Sequence, residues 1–423
     1  MHARKSTHRS NKWDLIVIGG GIVGCSTAFY AARSGLRVLL VERDTPGSAQ
    51  SGRNLGFVRQ QGRDLRELPL AMASLRLWNG LEEDVGRGVG WFRGGNIVLA
   101  VNDRDMTHQA DWQAKAKDYG LDTELLTPSQ VVGKLPFLSE KAGIRGAMFT
   151  ASDGRAEPGR ATRALFDAAV ELGVSVVLGG NVRCLDVQAG CIHGVWIDDK
   201  LYRADTVLCA AGTGSGKLLR PVGYDLPQEK IRATVARSLP VPGFTIDPCV
   251  SLPKTGLRQD VNGAIVLSVA GGEYDVRLDS WRYMRHYRET RRSNPDAARI
   301  NYLGPIQPFI QSYRSAPIAD IAPTREAVPP ALYRVRQAQD ELRRFIPALA
   351  EVAIETIWAG IIDTLPDVIP VMGQVKAVEG LLVATGFSGH GFGLGPMAGK
   401  IMAELATGQA PSVDVSSLSP ARF

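Results

Sequence analysis

Two glycine clusters, one arginine and one histidine are the residues of this chain whose types and spacing could do chemistry. Gly19, Gly21 and Gly24 form a G-x-G-x-x-G run. The first glycine permits a tight turn, the second lets a pyrophosphate approach the backbone, and the third lets a helix pack closely on the preceding strand. Ile22 and Val23 then open that helix, whose first amides favour negative charge. Glu42 follows Gly24 by 18 positions, where a carboxylate accepts hydrogen bonds from a ribose, with Arg43 beside it. The second cluster is FSGHGFGLGP, in which Gly389, His390, Gly391, Phe392 and Gly393 precede a helix. Its glycines let the backbone pass close to something flat or anionic. Arg59, in the loop RNLGFVRQQ, has the fork that suits a carboxylate, although a phosphate or surface role fits the same pattern. His390 can polarise a bound group or simply brace its turn.

The elements that must position these residues follow from apolar periodicity. Residues 14–18 read as a strand, a helical segment follows, and 37–41 read as a second strand, so 14–42 is a dinucleotide-binding βαβ half. The loop over 46–56 contains Ser51, Gly52, Arg53 and Asn54, small and polar enough to lie against another part of the same ligand. Leu68, Met72, Leu75, Trp78 and Val85 mark one helix stripe; 91–101 reads as strand and 107–120 as a polar surface helix. After the helix marked by Ala161, Leu165, Ala169 and Leu172, strands are expected at 174–178, 182–187 and 192–197. Thr206–Gly214 is a buried strand running into Ala211 and Gly212, an end against which a flavin or its phosphate bridge can pack. Ala211 and Leu218 stand where a P-loop needs Gly and Ser or Thr, which excludes that ATP site. Residues 228–275 read as antiparallel. The terminal helix is expected to open near Pro396, and a reduced flavin, charged at N1 and O2, fits such a helix start.

With 423 residues, 44% of them hydrophobic, the chain can bury a large core. No apolar run approaches the roughly 18 residues of a membrane span. The N-terminus is basic and polar, and five scattered cysteines fit a reducing compartment, so a cytoplasmic location is expected. The formal charge of +6 is too mild for nucleic-acid binding, and the six histidines form no metal-ligand pattern. Seven of the arginines fall within 277–300, where Trp281, Met284 and Tyr287 recur at helical spacing. This predicts an amphipathic helix that could face the chain's own core, a membrane surface or a partner.

The N-terminal βαβ unit, SGRNLGFVRQQ and FSGHGFGLGP together resemble the FAD-dependent D-amino acid oxidase family, in its sarcosine oxidase and opine dehydrogenase β-subunit branch. The resemblance implies an α/β fold: a glutathione-reductase-like, Rossmann-type FAD domain from 12–88, 140–227 and 335–412, a mixed α+β substrate domain from 89–139 and 228–334, and a basic tail over 1–11. It implies that Gly19, Gly21, Gly24 and Glu42 hold the adenosine end, that Ser51 to Asn54 lie near the phosphates or flavin, that Val182 lies near adenine, and that Gly389 to Gly393 line the pyrimidine edge. Several sarcosine oxidases tether flavin through a cysteine or histidine. Neither type occurs in 356–370 or 47–63 here, so FAD is expected to be non-covalent. Monomeric sarcosine oxidases carry a lysine where this chain has Gly393, which leaves Arg59 as the match to a carboxylate-binding arginine. The expected reaction is oxidation of the C–H beside the nitrogen of an amino acid or secondary amine to an imine. The alternatives are oxidation of a 2-hydroxy acid, or service as a flavin-carrying subunit of a homo- or hetero-oligomeric complex. An electron acceptor protein, a quinone or the inner membrane face could then meet 277–300.

Overall fold

The protein is described from a computed structural model, which covers residues 12–277, 280–295, 297–302 and 328–423. The expected basic tail, 1–11, lies outside the described residues. Leu15, Ile16, Val17 and Ile18 of the first strand, Lys12–Ile18, are all buried, as a strand covered on both faces requires. Among the described residues that strand lies at the centre of a sheet of eight. Six of them run in the order Val371–Gln374, Leu381–Thr385, Lys200–Cys209, Lys12–Ile18, Val38–Glu42 and Ser175–Leu178, and the four pairings among the last five are parallel. Cys191–Ile197 and Val182–Gln188 continue antiparallel from Lys200–Cys209 as a meander.

Side-chain alternation splits the central strands between two cores. Leu15, Val17, Val38 and Leu40 point to the helices Ile22–Arg33, Leu68–Val85, Pro158–Glu171 and Gly391–Ala406, while Ile16, Ile18, Leu39 and Val41 pack with the meander on the other face. The first and last helices approach unusually closely. A Cβ at Gly395 would lie 2.5 Å from Ile22 Cγ2, and one at Gly399 would lie 2.3 Å from Ser26 Cβ.

Among the described residues the second sheet has ten strands, antiparallel except that Cys249–Ser251 pairs parallel with Asn96–Ala100 and Gly272–Asp275 with Ala298–Asn301. Its spine is Glu229–Pro240, flanked by Ala264–Val269, Gly272–Asp275 and Ile354–Thr364. Asn96–Ala100, Thr123–Leu126 and Gly146–Thr150 extend it at one end. Helix Leu332–Phe345 lays Val335, Ala338, Leu342 and Phe345 on it, an i, i+3, i+7 stripe. A two-stranded ribbon, Phe57–Val58 with Gly154–Arg155, joins the two layers.

Several expectations are corrected by this arrangement. Gly146–Thr150 and Ile354–Thr364 belong to the second sheet and the helix from Leu332 packs on it, although the boundaries drawn from sequence put 140–227 and 335–412 with the nucleotide domain. Both strands are apolar enough to suit either sheet, and only pairing decides. The polar helix is Asp103–Ala116, started by Asn102, whose side chain accepts from the Asp105 amide. The terminal helix begins at Gly391, five residues before Pro396, which sits inside it. The arginine-rich segment is two short helices, Ser280–Tyr283 and Arg288–Ser293, rather than one amphipathic helix. Trp281 is 71% exposed, whereas the Tyr287 hydroxyl is turned inward to the carbonyls of Pro227 and Thr364. Tyr287 therefore does not join Trp281 and Met284 on an exposed apolar side.

Candidate active site

The first glycine loop is closed by contacts that a side chain would prevent. Gly19 has φ +108°, and a Cβ there would lie 2.4 Å from the Ala210 carbonyl oxygen, so the loop abuts Ala211 and Gly212 at the end of Lys200–Cys209. A Cβ at Gly24 would meet the Gly19 carbonyl at 1.9 Å. At Gly21 only Ser51 Oγ, 3.0 Å away, comes near, which leaves that side of the loop open to a ligand. Glu42 receives the Gly20 amide at 2.6 Å on one oxygen and the Asp44 amide at 2.7 Å on the other. Burial holds its pKa above the ordinary carboxylate value, although the two amides work in the opposite direction. Arg43 is exposed at the same strand end, and Val182 is half-buried opposite Ile197.

The loop after Glu42 is held largely by its own polar groups. Ser51 Oγ accepts from the Ile22 amide at 2.9 Å, satisfying one donor of the helix start. Gly52 packs on the Gly47 carbonyl, and Arg53 donates to the carbonyls of Ser48 and Ala359. Asn54 donates to Gln50 and Ser51 and accepts from the Gly56 amide. The side chains of Arg53 and Asn54 thus tie the loop to itself and to the strand Ile354–Thr364.

The terminal glycine run arrives at the same place. Gly389 has φ +87°, and a Cβ there would stand 3.8 Å from Ile362 Cδ1. Gly393 lies against the ribbon, its Cβ position 3.4 Å from Val58 Cα and 3.7 Å from the Arg59 amide. The turn before it hangs on Asp363, a buried carboxylate that accepts from the Gly386 amide at 2.7 Å, the Thr385 hydroxyl at 3.0 Å and Gln228 at 3.1 Å. Gln228 also donates to the Gly212 carbonyl, which lies 3.2 Å from the Thr385 hydroxyl and links this turn to the strand end beside the first loop.

Between the two glycine clusters lies a group of charges. Arg59 Nη1 donates to the Gln61 carbonyl at 2.7 Å, and burial lowers its pKa. Arg63 is almost wholly buried, donates through Nε to the Arg59 carbonyl, and has an Nη1 with no hydrogen bond among the described residues. Burial and the neighbouring Arg59 lower its pKa to about 10. Asp153 accepts the amides of Gln60 and Gln61 and is pushed up to about 7 by burial, against the pull of those amides and both arginines. His390 is paired with Glu67, and burial together with Arg63 brings its pKa down to about 4.

The structure therefore links the Gly19–Gly24 loop to Glu42 and Ser51, Gly212 to the turn before the 389–393 run, and that run to Arg59. Arg63, Glu67, Asp153 and Asp363 were not singled out from sequence. Arg59, Arg63 and Glu67 recur every fourth residue, a readable hint, but Asp153 and Asp363 are lone acids in a turn and a strand. Among the described residues no group of histidine, cysteine and acidic side chains could hold a metal.

Comparison with known proteins fits this geometry. A family model described as FAD dependent oxidoreductase matches residues 14–405. The chain belongs to this FAD-dependent oxidoreductase family. Human peroxisomal sarcosine oxidase is 25% identical over 420 residues, 97% of this chain and 96% of its own. The 4-methylaminobutanoate oxidase (formaldehyde-forming) of Paenarthrobacter nicotinovorans is 25% identical over 96% of this chain, which spans only 45% of that relative. Among solved structures, L-amino acid deaminase from Proteus myxofaciens superposes with a TM-score of 0.87 at 21% identity, covering 98% of this chain and 94% of its own. L-proline dehydrogenase from P. horikoshii gives 0.79 at 24%, covering 97% and 98%. These likenesses show the FAD-dependent oxidoreductase fold. The open side of Gly21, the Glu42 carboxylate and the uncapped first turn at Gly391 are what an extended dinucleotide needs, so the site fits FAD.

Proposed function

We propose that this protein is an FAD-dependent amine or amino-acid oxidoreductase of the dehydrogenase or oxidase type, the dehydrogenase being favoured, acting on the C–H beside the nitrogen of an amino acid or secondary amine such as a sarcosine-, D-amino acid- or opine-like substrate. The observation that carries the reading is the packing of Gly393 on Val58 and Arg59, which sets a glycine-rich helix start beside the half-buried Arg59 and the buried Arg63. Bound FAD supplies the hydride acceptor. The chain's part is placement and charge: Arg59, with the unpartnered Nη1 of Arg63 behind it, suits a substrate carboxylate. His390 enters neutral at ordinary pH, so its free ring nitrogen suits a substrate N–H rather than a second cation. The first-turn amides of Gly391, Phe392 and Gly393 suit negative charge on the pyrimidine edge. Gly19, Gly21, Ile22, Val23, Gly24, Glu42 and Arg43 would hold the adenosine diphosphate, with Val182, Ala211 and Gly212 at its flanks. The binding is read as non-covalent. What human sarcosine oxidase and the methylaminobutanoate oxidase are named for supports the substrate class.

Electrons would leave to an acceptor other than oxygen. Trp281 and Met284 are exposed, and Arg285, Arg288 and Arg292 hold no ion pair among the described residues, which suits an acidic acceptor protein, a quinone carrier or an anionic membrane surface. No helix among the described residues is long and apolar enough to cross a membrane. Turnover of a panel of amines, amino acids and 2-hydroxy acids with an artificial acceptor, and then with oxygen alone, tests both parts. The expected products are a carbonyl compound and an amine or ammonia. Turnover of hydroxy acids only would overturn the substrate class, and stoichiometric peroxide at catalytic speed would overturn the acceptor.

A further inference from the structure

The first turn of the terminal helix is only weakly held by its own backbone. Gly391, Gly393 and Gly395 give it the freest backbone available, and Pro396 has no N–H to return to the Phe392 carbonyl. The Leu394 amide reaches the His390 carbonyl only at 3.4 Å. Yet this is the turn whose amides are asked to meet developing charge, where donors help only if they are fixed beforehand.

The fixing comes from another helix. Ser74 and Trp78, four residues apart on one face of Leu68–Val85, both donate to the Gly393 carbonyl oxygen, Ser74 Oγ at 2.7 Å and Trp78 Nε1 at 2.9 Å. Neither side chain reaches solvent. The Trp78 ring also lies 5.1 Å from the Phe392 ring, so the residues on either side of the 392–393 peptide are gripped by the same tryptophan. A fully buried serine and indole converging on one carbonyl are more than the core needs, since an alanine and a phenylalanine would fill the space without bringing polar groups into it.

We propose that Ser74 and Trp78 are positioning residues for the flavin: by holding the Gly393 carbonyl they aim the amides of Gly391, Phe392 and Gly393, and so set how tightly the site holds reduced flavin relative to oxidised. The inference rests on the FAD site proposed above. Polarising the Gly393 carbonyl also strengthens the donor on the far side of its peptide, the Leu394 amide.

The test uses the flavin-loaded protein and its variants Ser74→Ala, Trp78→Phe and the double variant, with flavin content, midpoint potential and Tm read for each. Losing one buried hydrogen bond should weaken reduced flavin relative to oxidised about fivefold in Ser74→Ala. The double variant should lose about tenfold or more, a fall of about 30 mV for a two-electron couple. A purely structural role would lower Tm and leave the potential at the wild-type value, which overturns the proposal. Ser74→Ala alone decides the matter if the tryptophan variant does not fold. A wild-type protein that binds no flavin would instead overturn the underlying FAD reading.

Discussion

His390 Nδ1 lies 3.1 Å from a carboxylate oxygen of Glu67, a side chain with no exposed surface. The ring donates through Nδ1, so its other nitrogen is the acceptor. Burial, Arg63 and Arg59 outweigh Glu67 and hold the pKa at about 4, below the ordinary 6.5. The unfolded chain therefore takes up a proton near pH 6.5 that the folded chain refuses until about 4. Stability contributed by the neutral ring is fully present above 6.5 and is lost as pH falls through that window. Urea midpoints at pH 7, 6, 5 and 4.5 should fall more steeply for wild type than for His390→Gln. Parallel curves would contradict the assignment.

Arg59 is expected to bind the substrate carboxylate. Arg59→Lys and Arg59→Met should lose roughly 1.5 to 3 kcal/mol of binding, read as a KM raised between about tenfold and a hundredfold with normal flavin content. A wild-type KM in both variants would remove Arg59 from the site.

Two glycines in helices should respond to alanine with opposite signs. At Gly399 the new Cβ would lie 2.3 Å from Ser26 Cβ and 2.7 Å from the Thr27 amide, so two helices must part, at a cost of about 1 to 3 kcal/mol. At Gly80, in the interior of Leu68–Val85, nothing lies within 4 Å, and the change should stabilise by up to about 1 kcal/mol through helix propensity. Denaturant midpoints of the two variants check this, and a lowered Gly80→Ala midpoint would count against the packing described.

FAD is expected to be held without a covalent link, because the early loop has no histidine and the segment before the last strand has no cysteine. Acid precipitation should release all yellow colour to the supernatant. Colour retained on the pellet would point to an attachment residue elsewhere.

Much of this was legible from residue types because local geometry demanded it. The strand, glycines and Glu42 of the βαβ half stand where the spacing put them, since Gly24 and Gly19 touch and no other residue fits. The helix Leu68–Val85 and the meander strands also followed from periodicity. What was not legible depends on pairing between distant segments. Ile354–Thr364 reads as an apolar strand, yet only its ten-residue register with Glu229–Pro240 assigns it to the second sheet. The terminal helix starts at Gly391 because Phe57–Arg59, Ser74 and Trp78 support it there, overriding the helix-start preference of Pro396. The 277–300 segment has helical spacing but no single surface to lie on, and Tyr287 was drawn inward by two carbonyls. Asp153, Arg63 and Glu67 gain their roles only where separate loops converge.

The central claim is that bound FAD takes a hydride from a carbon beside an amine nitrogen. An absorbance spectrum of the purified protein, recorded without oxygen before and after adding candidate amino acids and secondary amines, tests it most directly. The account predicts flavin bands that bleach with at least one such substrate and do not bleach with the matching 2-hydroxy acid. Flavin bands that bleach only with hydroxy acids, or a protein that carries no flavin after reconstitution with FAD, would contradict it.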